Sequence, residues 1–133
     1  MTSSAPRLLR IAFIFVGAAL FIWLSLEDQN ERRALLLAAF LSSLIAIALY
    51  IRMRDGRLGV YSIPLLGAFS GLLVPVLAVL LMVVKTGLHG HDGPDFTIAQ
   101  ISTVLQRIPV WIAAGFLVGL GVAVWHAVRA KPA

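Results

Sequence analysis

Four residues close together in this sequence have the side-chain types that bind metals: His89, His91, Asp92 and Asp95. Imidazole and carboxylate groups brought together could take zinc or another divalent ion. The segment that carries them, Lys85 to Phe96, has glycines at 87, 90 and 93, a pattern that predicts successive turns rather than a regular helix. A site needs fixed geometry as well as ligand types. A solvated turn with Asp and Gly shaping the backbone is therefore the preferred reading, with divalent metal binding or a pH response of the two histidines as the sharper alternative. His126, beside Trp125, could ligate a haem iron or a pigment magnesium, but a histidine sharing an interfacial belt with a tryptophan is the simpler account. Ser42, Ser43 and Ser70 are the remaining groups of chemical interest, and no base lies at their depth to activate them. No enzyme activity is expected. With no cysteine in the chain, disulfides, thiolate zinc sites and iron–sulfur clusters are excluded, and no cofactor is predicted beyond the metal alternative.

The elements that position these groups follow from composition. Sixty per cent of the 133 residues are hydrophobic and 13% are charged, against about a quarter charged in a typical soluble domain. The apolar residues fall in four runs, 8–26, 34–51, 61–84 and 109–128, each close to the length needed to cross about 30 Å of hydrocarbon. The runs are continuous rather than alternating, which favours helices over a β-barrel. The expected fold is all-α: a single-domain integral membrane four-helix bundle. Between the third and fourth helices, Thr97 and Gln100 have the spacing of a capping box opening a short amphipathic surface helix over 97–107. That helix would place Ile98, Ile101, Leu105 and Ile108 on one side.

Orientation is read from the short loops. The side that holds both termini carries Arg7, Arg10, Arg52, Arg54, Arg57, Arg129 and Lys131; the other carries Arg32, Arg33, Lys85 and Arg107 among five acids. Both termini are thus expected in the cytoplasm, and a bacterial plasma membrane is the expected home. The net charge of +5 sits in pairs and triplets beside the apolar runs rather than along one polar face, so nucleic acid is not an expected partner.

Small residues mark where helices can approach closely in lipid. Ala34, Ala38, Ser42 and Ala46 recur every four residues on the second helix, Gly67 and Gly71 on the third, Gly115 and Gly119 on the fourth. Such faces serve packing within one bundle, or self-association and docking onto a larger complex. Pro75, inside the third run, predicts a kink. The span centres hold no ionisable residue, which argues against an ion-coupled transporter acting alone. The leading expectation is a non-catalytic subunit or scaffold of a membrane complex, with the bilayer and other membrane subunits or a second copy as partners. The alternatives are a small oligomeric transporter that uses the Pro75 kink, and external sensing through the His/Asp loop.

Overall fold

The computed structural model describes residues 5–26, 30–54, 59, 61–89 and 95–129, and every regular element among them is helical. The helices are α1 (Ala5–Ser25), α2 (Glu31–Arg54), α3 (Ser62–His89), α4 (Ile98–Gln106) and α5 (Ile108–Arg129). α1, α2, α3 and the α4–α5 segment are each long and apolar enough to cross a membrane. We call the end where α1 begins and α5 finishes the basal end, and the end where α1 meets α2 and α3 meets α4 the distal end.

The centre of the bundle is α3, packed against α5 on one side and α2 on the other; α1 lies against α2, and α4 rests on α3. The α3–α5 contact is backbone on backbone. A Cβ placed on Gly67 would strike the carbonyl of Gly115, and one on Gly115 would strike the carbonyl of Gly67. On Gly71 it would meet the carbonyl of Trp111, and on Gly119 it would come within 2.7 Å of the Ile63 oxygen. These glycines pack two helices of one chain together, which is how small residues let helices approach when lipid gives no hydrophobic drive. The α2–α3 contact has a polar centre: the fully buried Ser42 hydroxyl donates to the Ser70 carbonyl at 2.6 Å and lies 2.9 Å from the Ser70 hydroxyl. Ala34 and Ala38 are buried on the same stripe, while Ala46 is only half-buried.

α3 departs from expectation at its distal end, running as helix through Gly87 to His89. A helical glycine costs about 1 kcal/mol relative to alanine, which discourages a helix without forbidding it. Met82 and Lys85 are both fully buried, and their packing holds the last turns of α3 in place. Pro75 sits inside the same helix with its ring fully buried. Pro64 and Pro109 occupy opening turns of α3 and α5, where the missing N–H has no helical partner to lose.

The capping box of α4 forms. The Gln100 amide donates to the Thr97 hydroxyl at 3.2 Å, and the Thr97 amide donates to Gln100 Oε1 at 2.8 Å. The buried face of α4 differs from the expected one: Val104 is buried and Ile101 half-buried, whereas Ile98 is 87% exposed and Leu105 is exposed. Docking onto α3 selects the stripe 101, 104 and 108, at spacings of three and four, and turns Ile98 and Leu105 outward. Arg107 alone separates α4 from α5, with helical backbone angles (φ −85°, ψ 0°), and its carbonyl accepts from the Trp111 amide at 3.1 Å.

Candidate functional site: a distal lysine latch and an open basal groove

Buried side chains gather toward the distal end. Trp23 of α1, Ala34, Leu35 and Ala38 of α2, Val74, Ala78 and Met82 of α3, and Phe96 and Val104 form one apolar cluster. The Trp23 and Phe96 rings lie 6.3 Å apart in a tilted arrangement. Against this cluster lies Lys85, with no exposed surface. Its ammonium donates to the Trp23 carbonyl at 3.2 Å and sits 4.2 Å from the centre of the Trp23 ring.

The placement has a local cause. Trp23 lies in the last turn of α1, where helix carbonyls lack intrahelical donors and the macrodipole favours a cation. No basic residue occupies that turn of α1, so the cation comes from α3, 62 positions along the chain. The Leu26 amide also turns back to the Trp23 carbonyl at 3.3 Å, and the Ser25 hydroxyl donates to Ile22 at 2.7 Å. Lys85 thereby latches the end of α1 to the end of α3, through a charge-assisted hydrogen bond and a desolvated cation–π contact. Sequence reasoning placed Lys85 among the loop charges. The one available signal was a lysine at helical spacing from Met82, continuing the buried face of α3.

Among the described residues no group of three or more His, Cys, Asp or Glu could hold a metal. His91 and Asp92 lie outside the described residues. His89 ends α3, and Asp95 is half-buried just before Phe96. His126 is exposed on α5, and its ring stacks on Tyr50 of α2 at 6.4 Å. One turn further on, the Arg129 guanidinium covers the Trp125 ring at 4.2 Å.

Toward the basal end the bundle opens. α2 and α5 do not pack along each other among the described residues, and a groove of about 450 Å³ runs between them. Its floor is α3, including Gly67, Ser70 and Gly71; Ala39, Ser43, Ala46 and Tyr50 line one wall, and Trp111 and Val118 are on the other. The surface is almost wholly apolar, because the Ser43 hydroxyl is spent on the Ala39 carbonyl at 2.8 Å and Ser70 is engaged by Ser42. In comparisons with protein-family models, curated proteins and solved structures, the chain finds no match.

Proposed function

We propose that this chain is a non-catalytic membrane subunit or scaffold that attaches to a larger membrane complex through α1. The supporting observation is the way α1 is held. Of the residues described in this helix only Trp23 is buried, and Leu8, Ile14, Phe15 and Phe21 all face outward. α1 therefore packs on α2 along one half-buried face, is fastened at its distal end by the lysine latch, and presents its other faces to its surroundings. By contrast, the glycine faces of α3 and α5 are consumed within the chain, and α1 has the smallest buried share of the four spans.

In this reading the protein resides in a bacterial plasma membrane as a multi-pass protein with both termini in the cytoplasm, as the Arg and Lys distribution favours. The test is photocrosslinking in intact membranes from a benzoylphenylalanine placed at Phe15, with Ala38 as the buried control. A discrete adduct with another polypeptide from position 15, absent from position 38, is expected. A chain that crosslinks only to lipid and purifies alone in mild detergent would overturn the proposal.

A further inference from the structure

We infer that the basal end of the α1–α2 hairpin binds the headgroups of anionic phospholipids, through Arg7 and Arg10 of α1 and Arg52 of α2. Three observations carry this. The first is placement. α1 and α2 pack on each other and run in opposite directions from the short connection between Ser25 and Glu31. Arg7 lies about 27 Å back from the end of α1 and Arg52 about 31 Å along α2, so the two come level within a turn. Arg52 also continues the stripe Ala34, Leu41, Ile45 and Ala48, which is buried or half-buried on the side of α2 away from the groove. On α1, Arg10 borders the half-buried face at Leu9 and Phe13, and Arg7 is its neighbour at a spacing of three.

The second is charge. All three arginines are exposed, and among the described residues none of them has a hydrogen-bond or ion-pair partner. The described acids, Glu31 and Asp95, lie at the distal end; Asp55 lies outside the described residues. Like charges on neighbouring turns repel one another, and Arg7 also opposes the macrodipole in the first turn of α1. Neither helix stability nor a described acid accounts for the cluster, whereas an anion from outside the chain relieves it.

The third is depth. The exposed apolar side chains of α1 begin beside these arginines, with Leu8, Ile11 and Ile14. Tyr61 and Trp125, both exposed, lie at the same end, as aromatic side chains do at the headgroup level. At that level the phosphodiester of a lipid is the anion at hand, and a planar guanidinium takes it by paired hydrogen bonds. An acidic side chain on a neighbouring span would instead have to be held charged at the edge of the hydrocarbon. The inference holds whether or not a polypeptide docks on the rest of α1.

Native mass spectrometry of the full-length protein tests it, with an equimolar mixture of palmitoyl-oleoyl phosphatidylglycerol and the phosphatidylcholine of the same chains as probes. Phosphatidylglycerol is expected to be retained in preference, and the preference should fall about fivefold for each of Arg7→Gln, Arg10→Gln and Arg52→Gln. Arg10→Lys, which keeps the charge, should retain most of it. Arg32→Gln and Arg107→Gln should leave it within about twofold, since the distal end is about 30 Å away, several screening lengths. Equal retention of the two lipids by the unsubstituted chain would overturn the assignment. So would a loss in Arg32→Gln or Arg107→Gln as large as in Arg10→Gln, or a preference that survives all three basal substitutions together. Release of an acidic polypeptide by Arg10→Gln, with lipid retention unchanged, would assign the arginines to a protein partner instead.

Discussion

Gly115→Ala and Gly121→Ala place the same methyl group on the same helix and should have opposite outcomes. At Gly121 nothing lies within 4 Å of the added Cβ, so the substitution gains only helix propensity, at most about 1 kcal/mol. In a membrane protein the gain is smaller still, because the unfolded reference retains its helices. At Gly115 the methyl meets the Gly67 carbonyl, with the Gly67 carbon and the Gly71 nitrogen both at 3.0 Å. All three are backbone atoms and cannot move aside by changing rotamer. The helices must separate, and the cost falls at the upper end of the roughly 1–3 kcal/mol typical of overpacking. The two variants should therefore differ by at least about 2 kcal/mol in unfolding free energy, measured by titrating SDS into mixed micelles. Gly67→Ala should resemble Gly115→Ala, and the double variant should cost less than the sum, since one separation relieves both clashes. Equal midpoints for Gly115→Ala and Gly121→Ala would refute the close α3–α5 contact.

Three further outcomes follow from the packing. Ser42→Ala should lower stability by about 0.6 kcal/mol, and by no more than about 1.7, the range for interhelical hydrogen bonds in membranes; Ser43→Ala, whose hydroxyl bonds only within α2, should change the same SDS midpoint very little. Lys85→Ala removes a fully buried side chain and should cost about 2–5 kcal/mol, whereas Lys85→Met retains most of the volume, sheds the desolvation penalty and should cost distinctly less; if both lose the same amount, the charge rather than the packing dominates the latch. Thr97→Ala should fray the start of α4, costing about 1 kcal/mol, seen as faster hydrogen exchange at the Gln100 amide.

The spans are legible in the sequence because length, hydropathy and flanking charge all point the same way, and the Thr97–Gln100 cap because its partners are three residues apart. The stripes of Gly and Ala show that helices approach closely, but not which ones, since pairing Gly67 with Gly115 requires the tertiary arrangement. The burial of Lys85 is hidden for the same reason: it donates to the carbonyl of Trp23, 62 residues away, and a lysine after an apolar run ordinarily marks the end of a span. With Lys85 buried, the exposed distal cations reduce to Arg32, Arg33 and Arg107, which strengthens the charge asymmetry between the two ends. Glycine at position 87 favours a turn by propensity alone, and the tertiary contacts that hold the end of α3 override it. On α4 the expected and observed faces share Ile101 and Ile108, and only docking decides that Val104 rather than Leu105 lies between them. The groove has no sequence signature at all: it is the space left where α2 and α5 pack on α3 more closely than on each other.

The membrane arrangement is the claim on which the rest depends, and a chain without cysteine allows a direct measurement of it. Single cysteines introduced as Ser3→Cys, Gly59→Cys and Ala133→Cys, and separately as Gln29→Cys and Gly93→Cys, can be labelled in sealed cells with a membrane-impermeant maleimide. Positions 29 and 93 should react from outside, and positions 3, 59 and 133 only after the cells are opened. Reaction of both sets from the same side of the membrane would contradict four crossings.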